Sequence, residues 1–573
     1  MADQPDDPTL WLANLFQAGQ EMMKPFIAAG GAPSVPVPEQ DPYAQFAAAA
    51  KGIADMQQNY MQQMTNLWLA MSGMPGAATG ALPGDGDKRF AGDSWQRDPR
   101  FDLLKRAYLG YSSLLQNSVD AAPVDDKTRR QLRFAVRQFV DAMSPANFLG
   151  TNPEAMQLAL ETGGASLTEG MGLFFKDLAK GRMSITDESA FAPGRNLAVT
   201  PGDVIFENEL IQLIQYAPCT TKVHRRPLVI IPPCINKFYI LDLTPENSFV
   251  RYVVEQGHTV FMASWRNITP AQGHLTWDDY LRMGVMQAID VALEVTGAPD
   301  VNALGFCVGG TLLASAMGVM KANAEEKVAS MTLLTSMLDF SEPGEIGTLI
   351  TEERVAAREA AIGKGGVLEG KELALTFSSL RANDLIWPYV VSSYLKGKSP
   401  PAFDLLYWNS DGTNLPGPMF CWYLRNMYLE NNLRVPGKTI QCDVPVDLAD
   451  LDVPAFIYAS RDDHIVPWRT AYASTQLLQG ENTFVLGASG HIAGVINPPV
   501  KNKRNHWVDG GAGADPEAWL AAARDVPGSW WGKYGEWLAR QAGASIAAPA
   551  RTGNRKYRRI EPAPGRYVMA KAG

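Results

Sequence analysis

The sequence predicts an α/β protein in which a mostly parallel sheet follows an all-helical N-terminal region. Helical periodicity fills residues 93–182, and strand signals begin only after Leu197. Beyond that point short apolar runs alternate with helical stretches, which is typical of parallel βαβ units covered on both faces. We therefore expect a loosely held segment over residues 1–92, a helical domain over 93–195 and a sheet domain over 196–573.

The segment before residue 93 contains one amphipathic stretch between two linkers. Residues 30–42 and 75–86 are rich in Pro and Gly, which is typical of linkers. Between them, six apolar residues recur at steps of three and four: Ile53, Met56, Tyr60, Met64, Leu67 and Met71. This face either packs against the chain's own helices or offers an adaptable apolar surface to a partner.

Six apolar runs are the expected strands of the sheet. They cover residues 227–231, 258–263, 301–305, 331–336, 453–460 and 483–487. A helical stretch over residues 277–296 precedes the third run, and a further helix begins near Gly309.

Between the fourth and fifth runs lies an aromatic-rich stretch, residues 339–452, that is far longer than an ordinary connection. We expect it to be an inserted cap, or lid. A third ordinary subdomain fits the length equally well, because long insertions cost little free energy.

Composition excludes several classes of protein. The chain is 46% hydrophobic and 19% charged, so we expect it to be globular. Its 573 residues are more than a single hydrophobic core normally serves. A net charge of −9 argues against nucleic-acid binding. The five cysteines are scattered and lack metal-binding spacing, so we expect a reduced interior with no metal or other cofactor. The acidic N-terminus and the absence of a long apolar run predict a cytoplasmic protein without a membrane span.

The most informative stretch is LGFCVGGTLL, residues 304–313. It places Cys307 at the turn between a strand and a helix, which is a nucleophile-elbow pattern with cysteine in the serine position. The helix N-terminus favours the thiolate, and the backbone N–H of Val308 is free to serve an oxyanion hole. Taken alone, the motif fits a buried, inert cysteine equally well.

A base and an acid follow in the chain. Of six histidines, His491 lies just beyond the C-terminal end of a predicted strand, at the sheet edge where such proteins place their active sites. His464 is a further candidate near the site. The four expected at surfaces and turns are His224, His258, His274 and His506. The loop after the preceding strand carries Asp462, Asp463 and His464. The order Cys307, Asp463, His491 is that of α/β-hydrolases, so the sequence predicts that fold for the sheet domain.

The loop after the first predicted strand, PPCIN, should supply the second oxyanion donor. We expect this donor to be the backbone N–H of Ile235. Cys234 lacks an elbow of its own, so we interpret it as a wall residue near the site.

Four motifs together resemble the class I polyhydroxyalkanoate synthases. They are GFCVGG, PPCINKFYILDL, SRDDHIVPW and GHIAGVINPP, and the resemblance runs from about residue 87 to the C-terminus. It implies catalytic roles for Cys307, Asp463 and His491. Many relatives carry glutamate where this chain has Asp462, which leaves the assignment of Asp463 intact.

The resemblance also implies a reaction, a location and partners. The substrate would be a short-chain 3-hydroxyacyl-CoA, most simply 3-hydroxybutyryl-CoA, and the product a growing polyester chain. A homodimer at the surface of cytoplasmic polymer granules is implied, and granule-coating proteins are candidate partners of the Met-rich face. Two alternatives stay open: a thioesterase, esterase or depolymerase on the same fold, and an inactive granule scaffold.

Overall fold

The computed structural model describes residues 86–572, which form two compact units. One unit consists of residues up to Asp187 together with Phe377–Ala402, and the other of Glu188–Thr376 together with residues from Phe403 onward. The amphipathic stretch over residues 53–71 lies outside the described residues.

The elements are numbered in chain order. The helices are α1 Ser94–Arg97, α2 Pro99–Ala121, α3 Asp126–Ala142, α4 Pro153–Glu161, α5 Ala165–Lys180, α6 Phe249–Glu255, α7 Trp277–Asp279, α8 Gln287–Thr296, α9 Val308–Ala322, α10 Glu352–Ile362, α11 Gly370–Leu380, α12 Ala382–Leu385, α13 Trp387–Tyr389, α14 Asp404–Asn409, α15 Gly417–Tyr423, α16 Trp468–Leu477, α17 His491–Val495, α18 Pro516–Ala522 and α19 Trp531–Gln541. Segments Tyr280–Met286, Val390–Leu395 and Leu424–Leu429 are π-helical.

The strands are β1 Gly202–Glu207, β2 Ile211–Tyr216, β3 Lys222–His224, β4 Leu228–Ile231, β5 Val260–Trp265, β6 Val301–Phe306, β7 Val328–Leu334, β8 Val367–Leu368, β9 Leu415–Pro416, β10 Thr439–Gln441, β11 Val444–Val446, β12 Ala455–Ser460, β13 Asn482–Gly487, β14 Asn505–Val508, β15 Arg524–Pro527, β16 Ser545–Ala547 and β17 Glu561–Pro562.

Side-chain caps start three helices of the first unit, α2, α3 and α4. Asp98 accepts a hydrogen bond from the backbone of Arg100 and is followed by a proline at the first helical position of α2. Asp125 and Asn152 cap α3 and α4 in the same way. The prediction of a helical region before residue 195 is confirmed for the described residues.

Parts of the predicted insertion belong to this first unit. Tyr394, in the π-helical segment Val390–Leu395, donates its hydroxyl hydrogen bond to Asp177 of α5 at 2.9 Å. Its ring meets Phe174 edge-on, with centroids 5.4 Å apart. The insertion over residues 339–452 is therefore divided between the two compact units.

An eleven-stranded sheet organises the second unit. Its order is β15-β14-β13-β12-β7-β6-β4-β5-β2-β1-β17. The six central strands, from β13 to β5, run parallel and correspond to the six predicted apolar runs. The strands at both edges pair antiparallel.

The central strands are largely apolar because both faces of the sheet are covered. Val229 and Ile231 of β4 contribute to one core cluster, whereas Leu228 and Ile230 contribute to the other. Each such fully buried side chain contributes roughly 1.5–3 kcal/mol of transfer free energy. The α/β prediction is confirmed, and all six parallel strands end at the edge where the site lies.

The described part of the chain has no helix that is long and apolar enough to cross a membrane. Within residues 86–572 there is also no group of three or more His, Cys, Asp or Glu side chains placed to bind one metal ion.

Candidate active site

Cys307 occupies a sharp turn between β6 and α9. Its backbone angles, φ 55° and ψ −129°, are strained for a residue with a side chain. The turn is tight because a Cβ atom on Gly305 would lie 2.3 Å from the Cα of Gly310. A Cβ on Gly309 would lie 2.2 Å from the carbonyl oxygen of Ile231. Only glycine fits at these two positions, so the sequence dictates the elbow.

His491 and Asp463 form a buried hydrogen-bonded pair. Nδ1 of His491 lies 2.6 Å from Oδ2 of Asp463, and the two side chains are 6% and 0% exposed. The other carboxylate oxygen, Oδ1, accepts the backbone N–H groups of Ile465 at 2.8 Å and Val466 at 2.9 Å. Both oxygens of Asp463 therefore have hydrogen-bond partners, which fix the orientation of the side chain.

The imidazole of His491 links this pair to the cysteine. Burial lowers the pKa of His491, but the charge of Asp463 and the neighbouring Cys307 outweigh it and raise the pKa to about 10. The side chain of Cys307 is thus close enough to the ring to raise its pKa. Because Asp463 occupies Nδ1, the nitrogen left for the sulfur is Nε2. The three residues chosen from their order in the chain are therefore brought together.

The two residues beside Asp463 are less buried than Asp463 itself. Asp462 is exposed, and its backbone N–H donates to the carbonyl of Ser489 at 3.0 Å. His464 is half-buried, and its carbonyl oxygen lies 3.1 Å from where a Cβ on Gly344 would be. The structure thus gives these neighbouring residues different surroundings, which their positions in the sequence did not reveal.

One expected oxyanion donor lies in the elbow itself, and the other lies on the loop whose first residues contact the elbow. Val308 begins α9, so its N–H has no intrahelical acceptor. The loop that carries Ile235 follows β4, and the carbonyl of Ile235 accepts the N–H of Thr413 at 2.8 Å. Cys234 is fully buried, and burial raises the pKa of its thiol well above the usual range, with Cys307 adding to the effect. A thiol held neutral in this way is a poor nucleophile, which fits the role of a wall residue.

Aromatic residues that the sequence analysis left unassigned also border the site. Burial raises the pKa of Tyr428, and Cys307 and Asp463 both contribute. The ring of Tyr428 meets Phe340 and Tyr423 edge-on, with centroid distances of 5.0 and 5.4 Å. The abundance of aromatics in the insertion was the available signal, but it did not single out these positions.

The expectation that the other histidines lie at surfaces and turns is wrong for two of them. His258 and His506 are 2% and 4% exposed. His258 stacks on His224 with ring centroids 4.4 Å apart. Neither histidine approaches Cys307 through any described contact.

The sheet order, the elbow and the acid–histidine pair define an α/β-hydrolase-fold protein with cysteine at the nucleophile position. A family model described as alpha/beta hydrolase fold matches residues 227–498. A second model, described as the N-terminus of poly-beta-hydroxybutyrate polymerase (PhaC), matches residues 86–253.

Curated relatives name the family. The poly(3-hydroxyalkanoate) polymerase subunit PhaC of Cupriavidus necator is 53% identical over 99% of this chain and 96% of its own length. The corresponding protein of Rhizobium meliloti is 42% identical over 85% of this chain and 80% of its length. The polymerase of Methylorubrum extorquens is 43% identical over 89% of this chain and 86% of its length. The chain belongs to the poly(3-hydroxyalkanoate) polymerase family. The similarity to the Cupriavidus protein reaches further toward the N-terminus than the motifs that first indicated it.

Proposed function

We propose that this chain polymerises (R)-3-hydroxyacyl units from their CoA thioesters into a polyester, with Cys307 as the nucleophile. Membership of the polymerase family supports the reaction class. One observation carries the mechanism: His491 is hydrogen-bonded to a buried carboxylate and adjoins the cysteine at the elbow, and both neighbours raise its pKa. That arrangement places the thiol next to a proton acceptor.

The first half of the cycle loads the enzyme. His491 takes the thiol proton, and the sulfur of Cys307 attacks the carbonyl carbon of the CoA thioester. The developing oxyanion accepts the N–H groups of Val308 and Ile235. As the tetrahedral intermediate collapses, the bond to the CoA sulfur breaks, and the imidazolium returns its proton to that sulfur. CoA leaves and an acyl-cysteine remains, and one thioester replaces another at nearly equal energy.

The second half lengthens the chain. The 3-hydroxyl of another acyl unit attacks the acyl-cysteine and gives its proton to His491. An oxygen ester forms, and the bond to the Cys307 sulfur breaks. Asp463 holds the imidazole in one tautomer and stabilises its protonated form.

The insertion over residues 339–452 acts as a lid in this proposal. It begins after β7, at the sheet edge that carries Cys307, and supplies Tyr423 and Tyr428 to the surroundings of the site. A site closed by such aromatics excludes water, which disfavours hydrolysis of the acyl-cysteine. We further infer a preference for short acyl chains such as 3-hydroxybutyryl, no cofactor, and action as a homodimer at the surface of cytoplasmic granules. Granule-coating proteins would then be its protein partners.

Incubation with 3-hydroxybutyryl-CoA tests the reaction, with CoA release and turbidity followed together. The polymerase should produce both signals in proportion. CoA release with free 3-hydroxybutyrate and no turbidity would identify a thioesterase instead. If folded protein gave neither CoA release nor turbidity, the result would favour an inactive scaffold.

Substitution of the cysteine tests the mechanism. Cys307→Ala should abolish CoA release, and Cys307→Ser should retain a small remainder, because a hydroxyl is the poorer nucleophile for thioester exchange. Cys234→Ala is the matched control, since it removes the neighbouring buried thiol and should keep most activity. Substantial turnover by Cys307→Ala would exclude a covalent acyl-cysteine.

A further inference from the structure

The last residues of the chain return to the sheet edge that carries Cys307. Tyr567 is buried and donates its hydroxyl to the carbonyl of Asn208 at 2.7 Å and its backbone N–H to Gln212 at 3.0 Å. Val568 is buried in the second core cluster. These anchors fix residues 566–571, which we name the C-terminal strap.

The strap contacts the loops that follow β4 and β5. The ammonium of Lys237 donates to the carbonyl of Ala570 at 2.6 Å. Lys237 is only 2% exposed, and burial lowers its pKa to about 8. A buried ammonium needs a polar partner, and the strap supplies one. The carbonyl of Lys571 accepts the side chain of Asn267, which follows β5, at 2.9 Å.

Lys571 also reaches a buried carboxylate. Its ammonium lies 2.8 Å from Oδ2 of Asp411, and the two side chains are 55% and 3% exposed. The same oxygen accepts the hydroxyl of Tyr239 at 2.7 Å. Asp411 is thus desolvated; it forms an ion pair with Lys571 and accepts one neutral donor, and the buried ammonium of Lys237 is a further cation in its surroundings. The ammonium also lies 3.3 Å from the hydroxyl of Tyr407.

The segment that carries Asp411 continues directly to the oxyanion loop. Gly412 forms an antiparallel bridge with Asn236. Thr413 donates its N–H to the carbonyl of Ile235 at 2.8 Å. Two residues of backbone therefore separate the ion pair from the peptide that holds Ile235.

We propose that Lys571 is a positioning residue: through Asp411 it fixes the loop whose Ile235 N–H faces the reacting carbonyl oxygen. The inference rests on the proposed function. Without Lys571, the Asp411 carboxylate loses its ion pair and keeps the Tyr239 hydroxyl and the unpaired attraction of Lys237, so the segment moves toward water and takes Ile235 with it. Displacement of an oxyanion donor by about 1 Å weakens transition-state stabilisation on the order of ten- to a hundredfold.

The variant Lys571→Met tests this, because it keeps the length of the side chain and removes the charge. With 3-hydroxybutyryl-CoA we expect kcat to fall about tenfold and KM to change less than about twofold. Alkylation of Cys307 by iodoacetamide forms no oxyanion, so its rate should stay within about twofold of that of the unmodified protein. Lys571→Arg should recover most of kcat, since it restores the cation.

Lys556→Met is the matched control. Lys556 lies on the same C-terminal tail and forms an exposed ion pair with Glu294. This variant should leave kcat unchanged.

An unchanged kcat in Lys571→Met would overturn the inference. So would a parallel loss of alkylation, because the tail would then support the fold or the thiolate rather than the oxyanion loop. Turnover by Cys307→Ala at the rate of the unmodified protein would instead overturn the proposed function, and this inference with it.

Discussion

Asp462 and Asp463 are neighbours in the chain but lie in opposite environments. Asp462 is exposed, whereas the Asp463 side chain is fully buried against His491. Asp463→Asn should lower the rate of chain elongation on the order of a thousandfold, because the amide no longer fixes the imidazole tautomer or stabilises its charge. Stopped-flow measurement of CoA release checks this.

Asp462→Asn is the control for that variant and should change the rate by less than about twofold, as is usual for an exposed residue. Alkylation of Cys307 should suffer less than elongation in Asp463→Asn, since a thiolate can form beside an unoriented histidine. If the effects of the two variants were exchanged, the acid would be Asp462.

His258 should make the fold sensitive to acid. Burial, together with the stacked ring of His224, lowers the pKa of His258 to about 3. Between about pH 6.5 and 3, His258 therefore binds a proton in the unfolded chain but not in the folded chain. The stability of the fold falls as the pH drops. The free energy of unfolding should decrease by about 1–2 kcal/mol between pH 6.5 and 5 through this group alone.

Urea unfolding at pH 7 and pH 5 checks the effect of His258. His258→Gln should reduce the difference in stability between pH 7 and pH 5. The control His274→Gln, at an exposed position, should leave that difference unchanged. An equal pH dependence in all three proteins would show that other groups account for the loss.

At the residue scale, sequence reasoning finds groups whose position follows from local pattern. Cys307 stands between two glycines that the elbow requires, and His491 follows directly on a strand. No local pattern in the sequence indicates the ion pair of Lys571 and Asp411. These residues are 160 positions apart and meet only because the tail crosses the sheet edge.

At the scale of elements, the helix α5 contains two glycines with different surroundings. A Cβ on Gly170 would lie 2.1 Å from the carbonyl oxygen of Tyr394, whereas a Cβ on Gly172 would meet nothing within 4 Å. Gly170→Ala should destabilise the first unit by about 1–3 kcal/mol, because backbone must move to admit the methyl group. Gly172→Ala should stabilise it by up to about 1 kcal/mol through helix propensity.

Urea unfolding followed by far-ultraviolet circular dichroism compares the two alanine variants. The pair is matched, since the same change is made two residues apart on one helix. Equal stability of both variants would mean that the Val390–Leu395 segment does not pack on α5 in solution.

The parallel strands were predictable as elements because burial on both faces leaves an unbroken apolar run. The antiparallel edges were harder to predict. Strands β14 and β15 have exposed or half-buried positions and mixed composition, so their signal is weak. The π-helical interruption Tyr280–Met286 was also missed, because it keeps the overall apolar periodicity of the stretch over residues 277–296.

At the scale of the whole molecule, the order of segments along the chain does not predict which segments pack together. Residues 377–402 are inserted between β7 and β12 in the sequence, yet they pack with the N-terminal helices. Asn383 donates to the Asp141 carboxylate at 2.6 Å, and Gln138 donates to the carbonyl of Ser379 at 2.6 Å. No local pattern predicts such pairing, because each contact joins residues more than 200 positions apart.

The packing predicts that these distant segments open together. Contiguous packed groups of residues exchange their amide hydrogens as cooperative units, so residues 387–398 should share the protection of α5 rather than that of β12. Hydrogen-exchange mass spectrometry of the full chain measures this. Tyr394→Phe removes the hydrogen bond to Asp177 and should speed exchange in both segments, while β12 keeps its rate.

Tyr557→Phe provides the comparison for that experiment. It removes an exposed hydroxyl contact with Glu294 in the sheet unit and should leave both segments unchanged. If residues 387–398 instead exchanged in step with β12 and did not respond to Tyr394→Phe, the insertion would behave as one body. It would then open, if at all, as a single lid.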